Sequence, residues 1–167
     1  ASDRRLEAAR NAGFTSAVTF PTRGILAGQG AVVNLAAERD RAMIVSSGAG
    51  MYITLTTAGT GSGFPGSLMG VIAYIRQVYL DADHYGLERE SYARSAVGRK
   101  RPEYDRALEG ILETRRVLLP VRRALDVDRM LRFAAELKRD PVFYGAHEAY
   151  KAPEKLKGAD VLVNLEW

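Results

Sequence analysis

One stretch constrains the fold more than any other: Arg116 to Tyr150, RVLLPVRRALDVDRMLRFAAELKRDPVFYGAHEAY. Val117-Leu118-Leu119-Pro120-Val121 is too short an apolar run for a helix and reads as a buried strand. Asp126 stands where a helix N-cap is wanted, its carboxylate free to accept from the first turn's N–H groups. Val127, Met130, Leu131, Ala134 and Leu137 follow at helical spacing, which predicts a helix over 126–138 with one apolar face. Lys138 and Arg139 suit the negative end of its dipole. After Asp140-Pro141 a second strand, Val142-Phe143-Tyr144, stops at Gly145. Two short strands joined by an amphipathic helix should lie parallel. In such units ligands bind beyond the carboxyl ends of the strands, where His147 and Glu148 fall.

The remaining chain is read around that unit. Leu6, Ala9 and Ala12 line one face of an opening helix, and Gly13 sits where a left-handed cap is needed. Phe14 to Phe20 is β-branched and aromatic, a strand stopped by Pro21. Between Thr22 and Pro65, glycines punctuate three candidate strands at 31–35, 42–45 and 51–55. Gly59-Thr60-Gly61-Ser62-Gly63 has no P-loop lysine and reads as a loop. Ser67 is placed to cap a long helix with a stripe of Leu68, Val71, Ile72, Ile75, Val78, Tyr79 and Ala82. Asp81, Asp83 and His84 lie on that helix, but Asp83 points away from the other two, so a solvated surface explains them. Gly86 to Glu113 is a charged helical excursion hinged at 98–102. Gly145 to Gly158 predicts a helix interrupted by Pro153, and Val161 to Leu165 a last strand.

Composition narrows the classes. The chain has 167 residues, 47% hydrophobic and 26% charged, enough for one domain (1–167) with a real core. No apolar run reaches about 18 residues, so no membrane helix is expected, and the charged opening is no signal peptide. The protein is expected to be soluble, cytoplasmic or exported. The absence of cysteine excludes disulfides and thiolate metal sites. A net charge of +4 arises from 24 basic residues interleaved with 20 acidic ones. Arg99-Lys100-Arg101 is the only tight basic cluster, so a solvated loop is expected and no nucleic-acid partner.

Several phrases together resemble the imidazolonepropionase-related members of the amidohydrolase superfamily. They are Ala12-Gly13-Phe14-Thr15, Gly24-Ile25-Leu26-Ala27-Gly28-Gln29-Gly30-Ala31, Phe64 to Gln77, Asp126-Val127-Asp128-Arg129 and Tyr144 to Tyr150. The resemblance implies an α/β fold: a partial (β/α)8 TIM barrel with mostly parallel strands and outer helices, lacking the first and last strands. It implies a divalent metal, zinc foremost, and hydrolysis of C–N bonds in a small amide or peptide-like substrate. Carried onto this chain, His147 becomes a metal ligand, Glu148 its orienting carboxylate, and Gln29 and Arg76 substrate contacts. The chain departs from that pattern. It has no His-x-His pair, its only histidines are His84 and His147, and the strand at 117–121 ends without a histidine. The expectation is an internal portion of a hydrolase, inactive alone, without tightly bound metal and prone to self-association. The alternative is a non-catalytic amidohydrolase-like domain partnering an active barrel.

Overall fold

The computed structural model describes residues 4–36, 43–57 and 63–163. In order, the elements are α1 (Arg4–Asn11), β1 (Ser16–Thr19), β2 (Leu26–Asn34), β3 (Ile44–Ile53), α2 (Leu68–Arg94), α3 (Arg106–Glu113), β4 (Arg116–Val121), α4 (Ala124–Glu136), β5 (Asp140–Gly145) and β6 (Asp160–Val163), with two short 3-10 turns (Ala149–Lys151 and Pro153–Leu156) before β6. The strands form one six-stranded mixed sheet in the order β1-β2-β3-β4-β5-β6, curled as half of a barrel.

The central unit is as the residue pattern predicts. β4 and β5 pair in parallel, with Leu119 opposite Phe143 and Val121 opposite Gly145. Val117, Leu119 and Val121 are fully buried against the helices, and Leu118 is buried on the opposite face. Burial on both faces is why β4 is a continuous apolar run and not an alternating one. On α4, Val127, Met130, Phe133 and Ala134 are buried, each large side chain contributing about 1.5–3 kcal/mol.

The ends of α4 differ from expectation. The helix starts at Ala124, not at Asp126, and Asp126 occupies its third position. Its carboxylate reaches back to accept from the Arg123 backbone N–H at 3.0 Å, the carboxylate half of a capping box. Burial would by itself raise the Asp126 pKa, but the bonds and charge of Arg123 hold it below the usual carboxylate value. Lys138 and Arg139 lie past the helix, not in its last turn. Lys138 takes φ +56°, and its N–H and that of Arg139 close onto Ala135 O and Ala134 O, a Schellman motif built without glycine. Arg139 then donates to Ile111 O (3.3 Å), Leu137 O and Lys138 O. One guanidinium therefore serves the carbonyl ends of both α3 and α4.

The other half of the sheet departs further. The strand read at 14–20, β1, lies far from β4, with β2 and β3 between them. β2 runs antiparallel to both β1 and β3, while β3 pairs in parallel with β4. The parallel character therefore holds from β3 to β6 only. The two strands expected at 42–45 and 51–55 are one, β3, passing through Gly48 and Gly50. Gly50 has φ +150°, and a Cβ there would meet Leu118 Cδ1 at 2.5 Å. A residue without Cβ lets the strand continue where it would otherwise collide with its neighbour.

Ser67 caps α2 as expected, its Oγ accepting from Gly70 N at 3.1 Å. Val71, Ile75, Tyr79, Ala82 and Tyr85 are its buried stripe, whereas Leu68 is 54% exposed. The 145–158 region is not a helix but the two 3-10 turns, because Pro153 opens the second and no long apolar stripe exists to pack a full helix. Among the described residues no helix is long and apolar enough to cross a membrane. Gly59 to Ser62, and Asn164 and Leu165 of the expected last strand, lie outside the described residues.

Candidate functional site

β3, β4, β5 and β6 run in the same direction, so their carboxyl ends share one rim. Thr54 follows the end of β3 there, and its hydroxyl donates to Gly24 O at 2.9 Å. β4 is followed by Arg122 and Arg123, and β5 ends at Gly145, followed by Ala146. Gly145 and Ala146 both have positive φ, +87° and +39°. A Cβ on Gly145 would meet Val121 O at 3.1 Å. Left-handed backbone at a buried alanine is strained, and it turns the chain sharply outward, leaving His147 exposed.

The neighbouring loops are tied together. Glu148 N donates to Arg122 O at 3.1 Å. The Glu148 carboxylate accepts from Lys151 Nζ at 3.0 Å and from Ala124 N at 3.4 Å. Lys151 foremost, then that backbone bond, holds Glu148 below the usual carboxylate value. Glu148 thus serves the positive end of α4 and braces the loop after β5.

On the face opposite the helices three rings form a row. Tyr52 stacks on Tyr144 with centroids 4.7 Å apart, and Phe20 tilts against Tyr52 at 5.6 Å. The Tyr144 hydroxyl donates to Ile53 O at 2.9 Å, and burial foremost raises its pKa above the ordinary tyrosine value. Gly30 gives the row its depth, since a Cβ there would enter the Phe20 ring.

Among the described residues the donor set at this rim does not fit a metal ion. His147 is exposed, Glu148 is engaged by Lys151 and Ala124, and Asp126 by Arg123. Two arginines, Arg122 and Arg123, follow β4 and offer no donor to a cation. Among the described residues no group of three His, Cys, Asp or Glu could hold an ion. His84 belongs to the middle of α2, where its ring lies 3.8 Å from Glu88.

The other residues named from the sequence have partners away from the rim. Arg76 makes a two-pronged contact from α2 to Glu136 of α4, at 2.5 and 2.8 Å, and lies over Phe133. Gln29 donates from Nε2 to Gly110 O at 2.6 Å, bridging β2 to α3. It lines a large cleft on the helical side of the sheet, together with Tyr85, Arg89 and Arg101. Sequence reasoning missed the ring row and this cleft. Tyr52 and Tyr144 each sit one residue from a core position on their strands, a signal of facing the opposite side. Nothing local in the sequence brings Tyr92 and Tyr104 to the same cleft.

The fold has a known counterpart. The structure of an amidohydrolase from Thermotoga maritima MSB8 matches this chain with a TM-score of 0.82 and 24% identity. The match covers 98% of this chain and 45% of that one, so the chain spans less than half of that protein's length. No protein-family model and no curated protein matches the sequence. The chain therefore has an amidohydrolase-like fold.

Proposed function

We propose that this chain is the central part of an amidohydrolase-type (β/α)8 barrel whose complete form hydrolyses C–N bonds of a small amide. The observation that carries this reading is the strand-end rim within a fold that matches part of an amidohydrolase over 98% of this chain. Imidazolonepropionase-related chemistry and metal dependence come from the sequence resemblance. A metal in the complete protein would draw its ligands chiefly from outside the described residues, with His147 the one imidazole this chain brings to the rim. Where bound, a divalent ion would acidify a water and polarise the scissile carbonyl. This chain's own contribution is a braced rim: Glu148 fixes the loop after β5, and the Tyr52–Tyr144 stack forms the wall beneath it.

A second reading is favoured by Arg122 and Arg123. The residues that follow β4 are arginines and not metal-ligating types, which suits a barrel that has given up metal chemistry and serves as a binding partner. Metal analysis by mass spectrometry after dialysis, with an amidase assay, separates the readings. The 167-residue chain is expected to hold no stoichiometric zinc and to show no amidase activity above background. The full reading frame is expected to hold metal and hydrolyse amides. A metal-free, inactive full-length protein would leave the non-catalytic reading standing. One tight ion per 167-residue chain, lost in His147→Ala, would show a complete site here and overturn both the assigned ligand sources and the second reading.

A further inference from the structure

One sizeable cavity of the described structure lies away from the rim. It is a cleft of about 1330 Å3 on the helical side of the sheet, between β2 and β3 below and α2 and α3 above. Small-molecule sites commonly enclose about 300–1,000 Å3, so this one has room for a nucleotide-sized ligand with solvent. Met51 of β3 makes its floor apolar, and Leu108 and Ile111 of α3 face it as apolar surface. Its walls carry tyrosines and arginines.

The charges in the walls fall into two groups. Arg89 is paired with Glu109, and the Tyr85 hydroxyl donates to the same carboxylate at 3.0 Å while accepting from Asp105 N at 3.3 Å. That cluster is internally satisfied and locks α2 to α3. Arg101 and Arg106 differ: both line the cleft, both are exposed, and neither has an ion-pair partner among the described residues. The lining holds three arginines against two glutamates, Glu109 and Glu113, and Glu109 is already neutralised. Arg101 also belongs to the only tight basic cluster of the sequence, Arg99-Lys100-Arg101, on the segment joining the two helices. Tyr92, from the last turns of α2, and Tyr104, from the joining segment and 74% exposed, supply ring surface on two walls.

We infer that this cleft is a second binding site, separate from the strand-end rim, for a small organic phosphate bearing a planar ring. Two unpaired guanidinium forks match a dianionic phosphate better than a single carboxylate. Tyrosine faces over an apolar floor take the ring. The site needs no hydrolysis and stands whether or not the barrel is catalytic.

The test is isothermal titration of the protein with adenosine 5′-monophosphate, adenosine and inorganic phosphate. The monophosphate is expected to bind saturably and more tightly than either part alone. Replacing both guanidinium groups, Arg101→Gln with Arg106→Gln, is expected to weaken the monophosphate about tenfold or more and leave adenosine unchanged. Tyr92→Ala is expected to weaken monophosphate and adenosine alike, and Tyr92→Phe neither. Both arginines are exposed, so circular dichroism of the double variant should match the parent, which separates lost binding from lost fold. Monophosphate binding unchanged in the double variant overturns the proposal. So does inorganic phosphate binding as tightly as the monophosphate, which would mark a charged surface without a ring site. Refusal of all three probes overturns it too, and is the outcome if a further protein segment fills the cleft.

Discussion

The two halves of the sheet solve the same packing problem differently. From β4 to β6 every pairing is parallel and in unbroken register, and Val117, Leu119, Val121 and Phe143 are fully buried. From β1 to β3 the pairings are antiparallel, with three register shifts between β2 and β3. The early part of β3 leaves Ile44 and Val45 58% and 64% exposed. The first half is held by side chains filling space. The second is held by a backbone ladder that tolerates irregularity because glycines let strands and rings come close.

If that contrast is right, truncation should be severe in one half and mild in the other. Phe143→Ala is expected to cost about 3–5 kcal/mol, since it opens a cavity among side chains that cannot collapse. Ile44→Ala, a similar loss of apolar volume at an exposed site, is expected to cost within about 0.5 kcal/mol. Urea denaturation of both variants is the measurement. Comparable losses would mean that the β2–β3 hairpin is covered in solution.

A middle-sized effect tests the close-approach half. Gly50→Ala places a methyl against Leu118 at a backbone angle that side chains rarely adopt. It is expected to cost about 1–3 kcal/mol, read as a lower urea midpoint. A variant as stable as the parent would show that β3 can shift away from β4 at little cost.

The smallest effect belongs to the cap that starts α4. Asp126→Asn is expected to cost about 0.5–1 kcal/mol at neutral pH. Because the folded-state pKa is depressed, the carboxylate's contribution is present above the unfolded value near 3.9 and is lost as pH falls through the folded one. Parent and variant stabilities should therefore converge in acid. A gap that persists well below pH 4 would place the effect in packing and not in the charge.

The same contrast explains what could be read from residues alone. β4, α4 and β5 were legible because burial on two faces leaves short apolar runs, and because helix period and turn residues agree along 116–145. The start of α4 was misplaced by two residues because Asp126 can cap from either of two positions. β2 and β3 were not legible: Gly28, Gly30, Gly48 and Gly50 signal breaks locally, but here they permit contacts with Pro21, Phe20, Gln29 and Leu118, each outside the glycine's own strand. At the rim, His147 was found by its place after β5. The bracing role of Glu148 and the outward connections of Arg76 and Gln29 depend on contacts that cross the fold.

The long excursion between β3 and β4 also has a consequence in time. β4 meets β5 across one short helix, whereas β3 meets β4 only after the chain has travelled through α2 and α3. Closing a longer loop costs more chain entropy, and distant pairings form later. The β4–α4–β5 unit should therefore assemble first and present β4 as a ready edge. The glycine-rich hairpin then docks on a surface that already exists. Slowing that docking would leave the unit intact with β4 unpaired, an exposed strand open to pairing with another chain.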